Sequence, residues 1–418
     1  MVPSLVFRRR SKNWFSFPPL INAVKIAFPD ISIKLSKNYL DPDLLSAHSD
    51  YFIFCDSFQS PSVPQIKKEI NYVRFSLAQQ KIKAYFIAGG PHASGDPEGT
   101  LEMGFDIAVR GEGELILPKL ITSLSGHPEG KIFATLSKIE GICFKDESNN
   151  IIQTLPTKKV NLDQYLPYSS NPRLHPPIEI TRGCPFGCTY CQVSFLFGRK
   201  PRHRSLEQIS KIVSHYFKIF SGQRQVDIRF ITPNAFGYGA KGTKPDFSKV
   251  EQLIKTLKMN FPDIRLFLGS FPSEIRPEFI SEDSYSLLSE LDNENIAIGA
   301  QSGSNRILEL IHRGHTCTDV IRAVELINES KKTAIVDFIL GLPYETRKEQ
   351  FVSLEFAKSL IAKKARTRFH HFLPLPGTPL ANTRPTSIDP KILLEIGELT
   401  RKGQNLGSFD LQRKLSAC

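Results

Sequence analysis

The sequence of 418 residues has no run of 18 apolar residues, which excludes a transmembrane helix. It begins Met1-Val-Pro-Ser-Leu-Val-Phe-Arg-Arg-Arg, with its charges after a very short apolar stretch, the wrong order for a secretory signal. No internal repeat at a fixed period is evident. Composition excludes collagen-like, disulfide mini-protein and disordered chains. Seven cysteines are present, an odd number, and three of them, Cys184, Cys188 and Cys191, fall within eight residues. An uneven set of thiols without a secretion signal argues for metal rather than for disulfides. These absences lead us to expect a soluble, cytoplasmic protein with no membrane partner.

What is there is an ordinary globular balance, 40% hydrophobic and 23% charged, long enough for two or three domains of ~150 residues each. Lysine and arginine exceed aspartate and glutamate by 54 − 42 = 12. The excess is modestly clustered at Arg8–Arg10, Arg199–Arg204 and Lys363–Arg366, and reads first as a basic solvated surface. Anionic substrates, cofactor phosphates or nucleic acid are the alternatives, nucleic acid being the less favoured.

Residues 1–125 alternate short apolar runs (Leu5–Phe7, Ile31–Leu35, Tyr51–Cys55, Ala84–Ala88, Phe105–Val109) with helix-like stretches at Pro19–Ala27, Val63–Gln80 and Glu114–Ser123. That alternation predicts a doubly wound, Rossmann-like parallel sheet with helices on both faces. Residues 126–174 read as a hairpin, Ile139–Phe144 and Ile151–Leu155, followed by a Pro-rich linker over 166–177. A second βα series occupies 175–380, with strands at Ile178–Thr181, Asp227–Thr232, Arg265–Gly269, Ile296–Gln301, Ala334–Leu340 and Arg368–Leu373. Six such units close most of a (β/α)6 barrel, with active residues expected at the carboxyl ends of its strands. Residues 381–418 read as a C-terminal helix and a polar tail.

The sharpest chemical signal is Thr181-Arg-Gly183-Cys184-Pro-Phe-Gly187-Cys188-Thr-Tyr190-Cys191. Thiols spaced C-x3-C-x2-C on one short loop can reach three corners of a [4Fe–4S] cubane and leave one iron open to another ligand. Gly183 and Gly187 let the loop turn that tightly. Structural zinc is the rival; it needs a fourth ligand, for which only the distant His203 or Cys317 offers itself.

The segment resembles the cluster loop of the radical S-adenosylmethionine (SAM) superfamily, with Tyr190 in the aromatic place. The resemblance implies a partial (β/α)6 barrel, a [4Fe–4S] cluster on Cys184, Cys188 and Cys191, and SAM bound to the open iron. It implies reductive cleavage of SAM to methionine and a 5′-deoxyadenosyl radical, a dry site, and a one-electron donor such as flavodoxin or ferredoxin. Later segments are similar to the family too: Gly299-Ala-Gln301-Ser302-Gly303, then His312-Arg313-Gly314, then Asp337-Phe-Ile-Leu-Gly341-Leu-Pro343-Tyr-Glu345 and Phe372-Leu-Pro-Leu-Pro-Gly377-Thr-Pro. By that likeness Gln301, Ser302 and Arg313 reach SAM, Asp337 binds its ribose or amino group, and Gly341 lets backbone approach the adenine. The Gly-Gly-Glu common after strand two is absent; Thr232-Pro-Asn234 stands there, and Asn234 is the candidate for the SAM amino group. His312, His315, His370 and His371 read as surface or core histidines.

A second signal is Phe86-Ile-Ala-Gly89-Gly90-Pro-His92, followed by Asp106-Ile-Ala-Val-Arg110-Gly111-Glu112-Gly-Glu114. Paired glycines after a buried strand can bring backbone close to a phosphate or a flat ligand. The combination resembles the cobalamin-binding domain that precedes the barrel in one class of radical SAM enzymes, with Gly89, Gly90, His92, Gly111 and Glu112 as candidate contacts. No Asp-x-His-x-x-Gly motif is present, so no histidine is placed to ligate cobalt from below, and a structural remnant is the alternative. Methylthiotransferases share the Gln301-to-Thr316 stretch, but residues 1–125 hold only Cys55, and only 39 residues follow Pro379.

The reading is therefore a radical SAM enzyme, in its narrower form a cobalamin-dependent methyltransferase acting on an unactivated carbon. The alternatives are a cobalamin-independent enzyme, including one that modifies RNA or protein, and a non-catalytic sensor. The substrate, small or macromolecular, is not named by any residue.

Overall fold

A computed structural model describes residues 3–10, 13–45, 51–125, 132–167, 175–220, 222, 225–407 and 409–416. The chain divides into two compact units, Met1–Pro176 and Pro177–Cys418. The linker expected over 166–177 lies largely outside the described residues.

The first unit is built on β1 (Ser4–Arg8), β2 (Ile33–Ser36), β3 (Phe52–Ser57), β4 (Ala84–Gly89) and β5 (Ile107–Val109), followed by β6 (Ile142–Lys145) and β7 (Ile151–Gln153). The spatial order is β2-β1-β3-β4-β5-β6-β7, parallel up to β5 and antiparallel beyond it. The inner strands are unbroken apolar runs because both faces are covered. Leu5, Phe7, Ile53 and Cys55 face the helices Phe17–Ala27 and Leu117–Ser125, while Val6, Phe52 and Phe54 face the helix Val63–Gln79. The hairpin expected as a separate segment instead completes this sheet, with Ile107 opposite Phe144. Its apolar strand Ile142–Lys145 is buried, which a free-standing hairpin could not achieve.

Two glycine-linked expectations change here. Gly90 has φ +86, and a Cβ on it would lie 2.5 Å from Ser57 Oγ and 3.2 Å from the Phe58 amide. The close approach it permits is to the protein's own backbone, where the helix Gly90–Gly95 starts beside the end of β3. Glu112 is likewise turned inward and accepts from the Val160 amide at 3.0 Å, so it clasps the segment after β7. Beyond β1 and β3, Arg10 reaches the fully buried Asp56 at 2.7 Å, and Tyr39 Oη (2.9 Å) and Asn13 Nδ2 (3.1 Å) donate to the same carboxylate.

The second unit runs β8 (Ile178–Glu179), β9 (Thr181–Arg182), β10 (Arg202–His203), β11 (Val226–Ile231), β12 (Ile264–Phe267), β13 (Asn295–Gln301), β14 (Thr333–Leu340), β15 (Arg366–His371) and β16 (Asn405–Leu406). Parallel sheets β12-β11-β8 and β13-β14-β15-β16 are linked by a parallel bridge from Ile275 to Ile298. This gives six parallel barrel strands in chain order. The polar tail adds a seventh, β16, which pairs with β15.

Replacing Gly90 by alanine forces a left-handed φ and a clash with Ser57. We expect G90A to lower the free energy of unfolding by on the order of 1–3 kcal/mol, read as a lower urea midpoint at unchanged slope.

Candidate functional site

The cysteine loop follows β9 and is closed by the strand pair β9–β10. Its two glycines are left-handed, Gly183 at φ +87 and Gly187 at φ +69. A Cβ on Gly183 would lie 3.0 Å from the carbonyls of Gly198 and Lys200, and one on Gly187 would lie 2.8 Å from Arg199. The returning segment therefore covers the loop closely, and the Cys184 amide donates to the Gly198 carbonyl at 3.0 Å. Cys184, Cys188 and Cys191 are all free thiols. Among the described residues no three His, Cys, Asp or Glu side chains converge on one metal ion. In a mononuclear zinc site four ligands crowd one ion at about 2.3 Å, whereas a cubane takes each thiolate on a separate iron.

The three thiols differ. Burial pushes Cys184 up, and it pushes Cys191 up to about 12. Burial acts on Cys188 in the same sense, but Arg313 and Arg276 outweigh it and hold that thiol below its ordinary value. Each guanidinium places an Nη1–H 3.6 Å from Cys188 Sγ. Arg313 also donates to the Gly299 carbonyl at 2.8 Å and the Tyr190 hydroxyl at 3.2 Å. Tyr190 packs with Ile307, Leu308, Ile311, Leu342 and Phe372.

Arg276 escaped the sequence reading. It lies on an irregular segment after β12, where Ile275 bridges to β13 and alternation turns Glu274 and Arg276 to the opposite side. The polar-apolar-polar pattern Glu274-Ile-Arg276 is the signal that could have found it. Arg276 is only 5% exposed. Its Nε donates to Glu278 at 2.6 Å, and its guanidinium carbon sits 3.6 Å from the centre of the Phe186 ring. Its second terminal nitrogen, Nη2, is buried with no hydrogen-bond partner. Burial would push Glu278 up, yet His315, with Nδ1 at 3.3 Å, and Arg276 hold it down at about 2.

Asn234 is buried beside this arginine. Its Oδ1 accepts from the Arg276 amide at 3.1 Å, which leaves Nδ2 as the unpartnered end. A free NH2 donates to a carboxylate and repels an ammonium, so the expected partner changes from the amino group of SAM to an acceptor. Asn234, Thr232 and Gly237 line a cleft together with Cys184, Phe186 and Phe279.

On the far strands the register sets Gly299, Asp337 and Arg368 in one row. Asp337 is 1% exposed and paired in bidentate fashion by Arg368, with His370 Nε2 at 3.4 Å. It is engaged by its own chain rather than standing free. Burial, and then Asp337, push Glu274 well above the usual carboxylate range, while His370 and Arg368 hold Asp337 below it. Gln412 donates to His370 Nδ1 at 3.1 Å, and its own oxygen is fixed by the His371 amide, which puts the imidazole proton on Nε2, toward Asp337. Phe271, 57% exposed, covers Arg368 with the guanidinium carbon 4.3 Å from the ring centre.

Gln301 is buried and left-handed at φ +72, at the irregularity in the β13–β14 register, and its amide folds over Gly299. A non-glycine residue held there stores strain of the kind found at functional positions. Ser302 differs from expectation: it is fully buried, with its hydroxyl 3.3 Å from Ser353 Oγ and accepting from the Ser304 amide at 3.1 Å. Gly341, at φ +81, faces His371 and the Thr386 carbonyl, so its close approach is also to its own chain. In the first unit His92 is buried against Phe58, with Nδ1 3.1 Å from Ser60 Oγ and Nε2 3.9 Å from Asp96. It is not presented to a ligand. Gly111 has open space in front of it, and a Cβ on Gly89 would meet only Val109, at 3.9 Å.

Residues 178–357 match the model of the Radical SAM superfamily. An uncharacterized methyltransferase of Pyrococcus horikoshii is 28% identical over 375 residues, 86% of this chain and 72% of the relative. A tRNA-2-methylthio-N(6)-dimethylallyladenosine synthase of Finegoldia magna is 31% identical over 194 residues, 46% of this chain and 40% of the relative. The radical SAM methyltransferase TsrM from Kitasatospora setae, solved with tryptophan and a SAM analogue, has the same fold at a TM-score of 0.69 and 17% identity, over 92% of this chain and 77% of that one. The cobalamin-dependent radical SAM enzyme OxsB matches at 0.66 and 16% identity, over 96% of this chain and 55% of that one. No helix among the described residues is long and apolar enough to cross a membrane.

Glu345, at the end of β14, supplies a pH test. Its Oε2 accepts from the Gly341 amide at 2.8 Å, while Oε1 is buried without a partner. Burial pushes it up to about 7. The unfolded chain ionises this group near pH 4.5 and the folded chain near 7, so stability falls as pH rises between them. We expect E345Q to match the wild type below pH 4.5 and to exceed it by on the order of 3 kcal/mol above pH 7, by denaturant unfolding across that range. The cysteine loop and the parallel barrel strands from β8 to β14 all fall within residues 178–357, the part of the chain that matches the model of the Radical SAM superfamily.

Proposed function

We propose that this radical SAM enzyme holds a [4Fe–4S] cluster on Cys184, Cys188 and Cys191, binds SAM beside it, and transfers a methyl group with a corrinoid held by the first unit. The observation that carries the proposal is the donor set around the cysteine loop. One thiol is held toward its anionic form by two guanidiniums, which suits iron, and two buried donors beside it, Arg276 Nη2 and Asn234 Nδ2, lack partners. When bound on these residues, a cluster would supply the electron for cleaving SAM, and a corrinoid would supply a carrier for a methyl group.

The chain's own residues do the rest. Arg276 and Asn234 are suited to the carboxylate of SAM, since a guanidinium and an amide NH2 both donate. Arg313, fixed by Gly299 and Tyr190, supplies a second positive charge at Cys188. Glu274, pushed toward its protonated form beside the row of Asp337 and Arg368, is suited to exchange a proton with a substrate atom. Phe271 offers the same place an exposed ring face. In the first unit Gly89 and Gly111 leave room for a flat ligand, and His92 does not fit the role of a ligand beneath cobalt. A corrinoid there would be held by packing and backbone contacts. The methyl-transfer half of the proposal draws on the Pyrococcus relative's name and on the shared fold of TsrM and OxsB.

The test is the iron, cobalt and zinc content of protein made anaerobically in cobalamin-supplied cells, followed by product analysis under reducing conditions. About four irons and one cobalt per chain are expected, with S-adenosylhomocysteine or 5′-deoxyadenosine formed from SAM. Iron without cobalt removes the corrinoid. Zinc alone removes the proposal. Cys188→Ala should abolish both products, and formation of either at the wild-type rate would falsify the cysteine assignment.

A further inference from the structure

Arg276 makes contacts that SAM binding does not require. Its Nη2 is the end left open, whereas its Nη1 is turned to Cys188 Sγ at 3.6 Å, and Arg313 Nη1 approaches the same sulfur at the same distance. Neither arginine donates to Cys184 or Cys191 in the structure's hydrogen bonds; those thiols instead receive the backbone amides of Phe186 and Val193. Both guanidinium contacts therefore fall on one of the three thiols, while the other two feel the charge only at longer range.

Arg276 is also held more firmly than a contact of opportunity. Glu278 accepts from Nε, Phe186 lies against the face of the guanidinium, and the backbone amide is tied to Asn234 Oδ1. Glu278 is in turn 3.3 Å from His315, whose Nε2 faces the Ala300 carbonyl at 3.1 Å. The order from Ala300 through His315 and Glu278 to Arg276 leads from β13 to the cysteine loop.

We propose that Arg276 is a positioning residue for the cluster's electronics: its N–H on the Cys188 thiolate raises the reduction potential, and Glu278 moderates that effect by opposing its charge. Hydrogen bonds to cluster sulfurs and the net charge nearby are the two protein levers on such potentials. A donor and a positive charge on the ligand sulfur both favour the more negative, reduced cluster. Glu278, partly cancelling the charge, acts in the opposite direction. The inference rests on the reading that these cysteines hold a [4Fe–4S] cluster, and it concerns how easily that cluster accepts its electron.

The experiment is a reductive titration followed by electron paramagnetic resonance, without SAM, on wild type, R276Q and E278Q, with iron counted in each sample. R276Q should lower the midpoint by about 59 mV, a tenfold shift in a one-electron equilibrium. E278Q should move it the other way. A merely structural role for the pair gives no reason for shifts of opposite sign. An unchanged midpoint in either variant at full iron content overturns the proposal. If R276Q fails to retain iron, E278Q alone decides, a positive shift supporting the proposal and an unchanged or negative one overturning it. Wild-type protein that holds no iron defeats the cysteine assignment itself, and this inference with it.

Discussion

Two guanidiniums set against one thiol, that of Arg276 buried and that of Arg313 partly so, form the constraint around which the second unit is arranged. A buried charge without partners costs several kcal/mol, so each arginine needs compensation from a different direction. Glu278 and the Phe186 ring provide it for Arg276, and the Gly299 carbonyl and Tyr190 hydroxyl provide it for Arg313. Those partners come from the cysteine loop, the segment after β12 and the end of β13. Gly299 leaves room for these side-chain ends, since a Cβ there would lie 2.9 Å from Glu274 and 3.2 Å from Arg313 and both would have to shift. Loop, strand end and connecting segment are thereby tied through a few charged contacts.

The local part of this arrangement was legible in the sequence. Thiol spacing with two turn glycines is a short-range pattern; the sequence expected these glycines to let the loop turn tightly, and the structure places both in the left-handed region. The barrel strands were legible for a similar reason, since short apolar runs alternate with helical stretches through 178–371. Arg276 and Glu274 were not, because they lie on a segment with no periodicity beyond three residues and become neighbours of the cysteines only when Ile275 bridges to β13. Ser302 shows a related limit. A serine after a strand can face a ligand or the helix behind it, and here Ser353, far along the chain, takes its hydroxyl.

The first unit teaches the same lesson through glycine and glutamate. Its buried parallel strands announced themselves as continuous apolar runs, and β1 to β5 fall where those runs lie. Gly90 and Glu112 carry residue types that suit a ligand, yet both are occupied by backbone of their own chain, at Ser57–Phe58 and at Val160. Which use a glycine or a carboxylate has is decided by tertiary neighbours. The hairpin shows it again, since its apolar strand needed an edge to pair with and β5 supplied one.

The Arg10–Asp56–Tyr39 network has a consequence for where the first unit can accept a guest. In a doubly wound sheet the ready-made crevice opens where neighbouring crossovers leave in opposite directions, and here that is between β1 and β3. The crevice mouth is filled by the chain's own ion pair, backed by Tyr39 and Asn13. A guest would have to displace a fully buried aspartate from four donors, counting the Ser57 amide at 2.8 Å. Bare glycine backbone stands instead to one side, past the end of β5, where a Cβ on Gly111 would meet nothing within 4 Å.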